Sequence, residues 1–392
     1  MNTIHRIKVA VIFGTRPDAI KMAPLVKELE RNDNIETIVC VTAQHRQMLD
    51  QVLNVFNIIP DYDLDIMQER QSLEHITTRS LEGMSSIFEQ VKPDIILVHG
   101  DTTTCFSASL AAFYKKIKIG HVEAGLRTFD KYYPFPEEIN RRLTCVLADL
   151  HFAPTPLNKK NLISEGISEE NIYVTGNTVI DALKTTVEKN YKFHNEILNN
   201  IDFSNKKIIV LEAHRRENLG IPMENICIAA KEIADRFANI EIVYPVHPNP
   251  SVRETVQKIL NYHPRIHLIE PLDVQDMHNL IAKSYIVMTD SGGLQEEAPA
   301  LGKPVLVLRN ETERPEAIRA GTVALAGTDK DHITALASKL INNKNDYYKM
   351  AKAANPYGDG NASLRIAEAI QYEFALADHR PEEFKTVMPA SQ

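Results

Sequence analysis

The sequence predicts an α/β protein of two similar halves, each a parallel sheet covered by helices on both faces, with a ligand cleft between them. Three observations predict it. Short β-branched apolar runs alternate with stretches of helical period along nearly the whole chain. The alternation breaks once, over the polar residues Asn190–Lys206, and then restarts. Residues suited to chemistry follow the apolar runs, at the carboxyl ends of the expected strands, where open parallel sheets bind ligands.

Taken in order, Ile7–Phe13 is an unbroken apolar run of the kind that forms a strand buried on both faces, and it ends in Gly14-Thr15-Arg16-Pro17. Further strands are expected at Glu36–Thr42, Asp94–Val98, Lys118–Val122, Leu150–Ala153 and Tyr173–Thr175. Helical spacing lies between them at Ala19–Arg31, Ser72–Gln90, Thr103–Lys115, Glu137–Ala148 and Val179–Lys189. The second series of strands is Lys207–Leu211, Ile240–Val246, Ile266–Ile269, Tyr285–Thr289, Pro304–Leu308 and Thr322–Leu325. A last helix is expected at Ala362–Phe374. The domain boundary is placed near Val174, and the Pro- and charge-rich tail 379–392 is expected to fray.

The bulk composition is that of a soluble globular protein of two domains, with 392 residues, 44% hydrophobic and 24% charged. A net charge of −8 opposes binding to nucleic acid or an anionic membrane, so an anionic ligand must meet a local cluster of arginines. The four cysteines show no C-x-x-C spacing and fit a reducing compartment. No run reaches membrane-spanning length and the N-terminal apolar run is short for a signal peptide, so a cytoplasmic location is expected.

The polar clusters carry the chemistry. Ser291-Gly292-Gly293 follows a strand and precedes Leu294-Gln295-Glu296-Glu297. Small residues there allow backbone N–H groups to reach an anion, though a plain Gly-rich turn has the same sequence. Glu297 lies a helical turn on, in reach of a ribose diol. Arg16 and Arg314 are candidate partners for a diphosphate, or simply surface arginines. Asp101, Glu123 and Glu137 are candidate acid/base groups. Each also has a structural reading: Asp101 as an N-cap, Glu123 as an ion-pair partner, Glu137 as an acidic residue at a helix start. His214 and His247 lack partners at metal-ligand spacing, so no metal is expected. The absence of G-x-G-x-x-G after the first strand, and of any P-loop, argues against a dinucleotide cofactor and NTP hydrolysis. No cofactor is expected.

Several ordered motifs then resemble one family. They are Gly-Thr-Arg-Pro-Asp-Ala-Ile-Lys (14–21), Thr-Ala-Gln-His-Arg (42–46), His-Gly-Asp-Thr-Thr-Thr (99–104), His-Val-Glu-Ala-Gly-Leu-Arg-Thr (121–128) and Pro-Glu-Glu-Ile-Asn-Arg (136–141). Thr-Gly-Asn-Thr-Val-Ile-Asp (175–181), His-Arg-Arg-Glu-Asn (214–218), Asp-Ser-Gly-Gly-Leu-Gln-Glu-Glu-Ala-Pro (290–299) and Thr-Glu-Arg-Pro-Glu (312–316) continue the series. Together they resemble the bacterial non-hydrolysing UDP-N-acetylglucosamine 2-epimerases from about Lys8 to Ala369. The resemblance implies a GT-B-type fold of two Rossmann-like domains facing across a cleft, residues 1–173 with the returning helix 362–378 and residues 174–361. It implies reversible conversion of UDP-N-acetylglucosamine to UDP-N-acetylmannosamine for surface polysaccharide precursors, without NAD or metal, in a homodimer.

Carried over by position, Asp101, Glu123, Glu137 and His214 are the catalytic candidates. Arg16, Lys21, Leu272, Met277, Ser291, Gly292, Gly293, Glu297 and Arg314 would bind UDP or substrate. Gln44, Gln47, Arg70, Glu137, Arg215 and His247 would hold a second UDP-N-acetylglucosamine as allosteric activator. Three departures stand out. Asp18 takes the place of Glu. Glu212 replaces a small polar residue before His-Arg-Arg, adding negative charge near the expected phosphates unless strand alternation turns it away. Leu272 and Met277 lie where family members vary around the uracil. A GT-B glycosyltransferase, a hydrolysing epimerase and a UDP-sugar-binding sensor share the expected nucleotide site; the carboxylate set disfavours the transferase.

Overall fold

The structure, a computed structural model, describes residues 6–44, 46–68, 71–312 and 314–385. Among the described residues the chain forms two compact units, the first holding residues up to 185 together with those from 357 onward, the second 186–356.

The first unit is a parallel sheet of β1 (Ile7–Phe13), β2 (Ile35–Val41), β3 (Tyr62–Asp63), β4 (Ile95–His99), β5 (Lys118–Val122), β6 (Leu150–Ala153) and β7 (Ile172–Val174). Their spatial order is β3-β2-β1-β4-β5-β6-β7. The register runs from Ile7 opposite Ile35 to Phe13 opposite Val41, and from Val9 opposite Ile95 to Ile12 opposite Val98. Between the strands lie α1 (Arg16–Glu30), α2 (Arg46–Val55), α3 (Leu73–Val91), α4 (Thr103–Tyr114), α5 (Glu137–Leu147), α6 (Pro156–Ser164) and α7 (Thr178–Thr186). The central strands are apolar on both faces because both faces are covered. On one side Ala10, Ile12, Ile96 and Val98 pack with Met84 and Phe88 of α3 and Ala108 and Ala112 of α4. The two-residue β3 escapes sequence reading because it is too short to show a period.

The second unit repeats the plan with β8 (Lys207–Glu212), β9 (Ile240–Pro245), β10 (Ile266–Ile269), β11 (Ile286–Thr289), β12 (Val305–Val307) and β13 (Val323–Leu325), in the order β10-β9-β8-β11-β12-β13. Its helices are α8 (Glu196–Asn199), α9 (Ile221–Arg236), α10 (Pro250–Leu260), α11 (Val274–Lys283), α12 (Leu294–Ala300), α13 (Pro315–Ala320), α14 (Lys330–Asn342) and α15 (Lys344–Ala351). Ile209, Leu211, Ile242 and Tyr244 form its core with Ile226 and Ile233 of α9, Val256 of α10 and Ile333 of α14. No helix among the described residues is long and apolar enough to cross a membrane.

The division falls after α7, not before it near Val174. A helix-to-helix bond holds α7 in the first unit: the Asp181 carboxylate accepts from the backbone N–H groups of Ala362 at 3.2 Å and Ser363 at 2.8 Å. These open the returning helix α16 (Ala362–Glu373), whose first amides have no intrahelical acceptor. The turn before α16 closes on the same element, Asn177 N donating to Tyr357 O at 2.6 Å. The tail from 379 is also corrected as far as 385. Phe384 is buried and its N–H donates to Val174 O at 2.7 Å, while the Arg380 guanidinium binds the carbonyls of Glu170 and Ile172. Apolar burial and carbonyl capture outweigh the disorder that its composition suggests.

Asp181→Ala leaves the Ala362 and Ser363 amides buried without an acceptor, a cost of about 1–3 kcal/mol. Native-state hydrogen exchange at these two amides is expected to quicken by roughly 5- to 150-fold. Unchanged exchange would show that another group caps α16.

Candidate active site

In each unit the strand order reverses once, between β1 and β4 and between β8 and β11. Loops leaving such a pair diverge to opposite faces and open a crevice at the strands' carboxyl ends. Most of the residues marked by the sequence fall at these ends.

In the first unit, Gly14 follows β1 because nothing larger fits: a Cβ there would stand 1.9 Å from Thr42 Oγ1. Thr42 Oγ1 bonds Thr104 Oγ1 at 2.8 Å, and Thr104 Oγ1 donates to Gln44 Oε1 at 3.3 Å, which joins the ends of β2 and α4. Thr15 caps α1, setting Arg16 in its first turn, partly buried, and Lys21 on the same helix. Asp101 is not the cap of α4. Thr102 takes that role, accepting from Cys105 N at 3.2 Å, so the Asp101 side chain is released for other contacts.

The Asp101 carboxylate pairs with Arg141 Nη2 at 2.6 Å, and Asn140 Nδ2 holds the Asp101 carbonyl at 3.0 Å. Both partners come from α5, whose first residue is Glu137. Beside Glu137, the fully buried Glu138 accepts from Thr128 N at 3.0 Å and Phe129 N at 3.2 Å and so anchors the loop before the helix. Glu123 leaves β5 with φ of +64°, a left-handed conformation that is strained for a side-chain-bearing residue. Its carboxylate binds Lys21, accepts from Asn177 Nδ2 at 2.9 Å and lies 3.7 Å from His99 Nε2. His99 Nδ1 lies 3.8 Å from Asp18, which also accepts from Thr102 Oγ1 at 3.2 Å. Asp18 therefore belongs to the carboxylate network.

Burial raises the Asp101 pKa above the ordinary carboxylate value. Arg141 opposes this, while the charges of Glu123 and Glu137 add to it and Lys21 lowers it. Asp101, Glu123, Glu137 and Lys21 thus share one electrostatic neighbourhood. Gln47 lies on the exposed side of α2, away from the bonds just described, and Arg70 lies outside the described residues.

In the second unit the fully buried Asp290, after β11, is the organiser. Its Oδ2 accepts from His214 N and Arg215 N, each at 2.9 Å, and from Asn218 Nδ2 at 2.8 Å. The His214 ring stacks on His247 with centroids 4.9 Å apart, and its Nδ1 lies 2.8 Å from Glu212. A side chain added at Gly292 would lie 3.8 Å from Arg314 Nη2 and 3.9 Å from Arg215 Nη2, so two guanidinium groups converge on the Ser291–Gly293 turn. Arg314 is itself fixed by Glu296. Glu297 is held by His278 Nε2 at 3.3 Å, and His278 Nδ1 contacts Thr186 Oγ1 at 2.7 Å. Leu272 is buried after β10 and Met277 is partly buried on α11, next to His278 in sequence.

Arg141, Glu138 and Asn177 lie within the motifs quoted above but carried no assigned role, and His278 lies outside every motif. Arg141 had a signal, one helical turn after Glu137 on the same amphipathic helix. His278 had none, because its partner is distant in sequence. Two donor clusters with metal-ligand chemistry occur elsewhere. In one, His121 is bonded to Gly100 O at 2.7 Å and to Cys145 at 3.4 Å. In the other, His194 pairs with Asp273 at 2.7 Å.

Two Rossmann-like units with their marked residues at the switch points define an α/β enzyme of the GT-B type. A glycosyltransferase of kitacinnamycin, at 9% identity and a TM-score of 0.65 over 94% of this chain and 99% of its own, shares that fold alone. The sequence profile described as UDP-N-acetylglucosamine 2-epimerase matches residues 27–371. The UDP-N-acetylglucosamine 2-epimerase of Bacillus subtilis (strain 168) is 55% identical over 97% of this chain and 99% of its own. The crystal structure of UDP-GlcNAc 2-epimerase from Neisseria meningitidis bound to UDP-GlcNAc aligns at 51% identity with a TM-score of 0.86, covering 93% of this chain and all of that one (100%). The chain belongs to the UDP-N-acetylglucosamine 2-epimerase family, and it is an enzyme with the activity for which the family is named.

Replacing Arg141 with Met removes the cation that lowers the Asp101 pKa. Asp101 is then expected to titrate higher than in the wild type, read by 13C carboxyl NMR. An unshifted titration would show that Arg141 is not its counter-ion.

Proposed function

We propose that the protein interconverts UDP-N-acetylglucosamine and UDP-N-acetylmannosamine without hydrolysis, by elimination and re-addition of UDP through 2-acetamidoglucal. The observation that carries this reading is the grouping of Asp101, Glu123, Glu137 and Lys21 in one electrostatic neighbourhood. Carbon 2 has no adjacent carbonyl, so its hydrogen becomes acidic only as UDP leaves carbon 1. A carboxylate takes the proton, the C–H electrons form the C1–C2 double bond, and the C1–O bond breaks towards phosphate. Protonation of C2 on the opposite face and attack of a UDP oxygen on C1 restore the nucleotide sugar with C2 inverted.

Such a route needs two proton-transfer groups and a strong anion site. Asp101, with its raised proton affinity, suits the first task. Glu137, partly buried at the head of α5, is assigned as its counterpart on the other face. Glu123 is already bound by Lys21 and Asn177, which suits a fixed charge beside C1 as positive charge develops there. Arg16 extends this set towards the phosphates. In the second unit Ser291, Gly292, Gly293, Arg314 and His214 are assigned to the diphosphate, Glu297 to the ribose, and Leu272 and Met277 to the surroundings of the base.

A second UDP-N-acetylglucosamine is assigned, as activator, to Gln44, Gln47, Glu137, Arg215 and His247. Arg215 reaches the same turn as Arg314, and His247 stacks on His214, so an activator there would touch groups that hold substrate. A homodimer is supported by Ile139, Leu143 and Val146, exposed apolar residues spaced along one face of α5. A cytoplasmic location and a supply role for surface polysaccharide complete the reading.

Incubation with UDP-N-acetylglucosamine in D2O is expected to give a reversible mixture with UDP-N-acetylmannosamine, deuterated at C2, by NMR. Retained protium at C2 would defeat elimination, and free N-acetylmannosamine would indicate hydrolysis. Asp101→Asn is expected to lose roughly 10²- to 10⁴-fold in turnover while UDP affinity changes little; near-normal turnover would remove Asp101 from the chemistry. UDP-N-acetylmannosamine alone is expected to react slowly until UDP-N-acetylglucosamine is added, and immediate full-rate reaction would remove the activator.

A further inference from the structure

We propose that Glu212 is a positioning residue for His214, gripping the imidazole by Nδ1 so that Nε2–H is the donor left for the diphosphate of UDP. The proposal rests on the assignment of the second unit's crevice to UDP. Glu212 ends β8, and His214 stands two residues on, so strand alternation gives both side chains the same side. Glu212 Oε1 lies 2.8 Å from His214 Nδ1, and Glu212 Oε2 accepts from Thr289 Oγ1 at 2.9 Å. One carboxylate oxygen is thus hydrogen-bonded to Thr289, and the other sets its charge against the imidazole as an ion-pair contact rather than an aligned hydrogen bond.

The groups facing His214 come from three strand ends. Glu212 and Arg215 flank it along the chain leaving β8, Asp290 follows β11, and His247 follows β9. The Glu212 contact raises the His214 pKa against the opposing effect of burial, Asp290 adds to the rise, and Arg215 reduces it. Asp290 Oδ1 is more distant at 3.9 Å, and its Oδ2 is taken by two backbone amides and Asn218. Burial pushes Glu212 up, but the contact and charge of His214, the Thr289 bond and the charge of Arg215 together outweigh it and hold the carboxyl below its ordinary range. His247 is lowered by burial and then by the charge of His214, so the two stacked rings shift in opposite directions.

A histidine with a raised pKa is charged below that value and loses its charge as pH rises through it. The contribution of His214 to UDP binding is accordingly full in mild acid and fades on the alkaline side. Glu212→Gln keeps the shape beside Nδ1 while removing the charge. The experiment is UDP binding by calorimetry from pH 5.5 to 9, taken as the ratio of variant to wild-type Kd, in which the titration of UDP itself cancels. The ratio is expected to be near one at pH 5.5 and to rise to about tenfold near pH 7.5, the difference between a charged and a neutral donor. The His214 ring pKa, read by NMR, should fall in the same variant. In a His214→Asn background the Glu212→Gln change should have no pH-dependent effect. A ratio independent of pH, or one unchanged by loss of His214, overturns the positioning role while leaving the UDP site standing. Folded wild-type protein that binds no UDP at any pH overturns the site assignment, and the proposal with it.

Discussion

Glu123 is the point at which the first unit's functional surface is tied together. Its side chain receives Lys21 from α1, Asn177 from beyond β7 and, more distantly, His99 from the end of β4, while its own backbone leaves β5 in a left-handed turn. Four segments that the chain separates by more than 150 residues thus meet on one carboxylate. Strain of this kind persists only where neighbours over-determine it. Asp101 beside it differs: burial raises its pKa above the ordinary carboxylate value, and the charge of Glu123 adds to that rise.

The second unit solves a different problem with the same topology. The whole chain is acidic, yet the crevice beyond β8 and β11 gathers Arg215, Arg314 and His214 about one Gly-rich turn. None of these cations stands alone. Asp290 fixes the backbone that bears His214 and Arg215, Glu296 orients Arg314, and Glu212 grips the imidazole. Paired in advance, the side chains of Arg314 and His214 have less freedom to lose when an anion arrives. Their acidic partners are part of the site even though they carry the opposite sign.

Much of this was legible from the residues. Both sheets followed from apolar runs that needed no partner to be recognised, and β1, β5, β6 and β10 begin and end where the runs do. The polar clusters at strand ends were legible because parallel sheets place ligands there. What the sequence hid is whatever depends on contacts across distance. Asp101 reads equally as a cap or an acid until Thr102 is seen to take the cap. Glu212 reads as an intrusion until its oxygens are traced to His214 and Thr289. The boundary near Val174 missed α7 because Asp181 binds amides 181 and 182 residues further on, beyond any local period. The tail reads as loose by composition, and only the burial of Phe384 shows otherwise.

That tail carries a consequence for how the protein is made. The first unit starts before the second but cannot be finished there: α16, Arg380 and Phe384 all belong to it and follow the whole of the second unit in the chain. The second unit lies wholly between, so its sheet is fully translated while its older neighbour still lacks the helix that covers Asp181. During synthesis the order of completion is therefore the reverse of the order of appearance. Until residues 357–385 have been made, a second unit whose strands are all present stands beside a first unit still waiting for its closing segment.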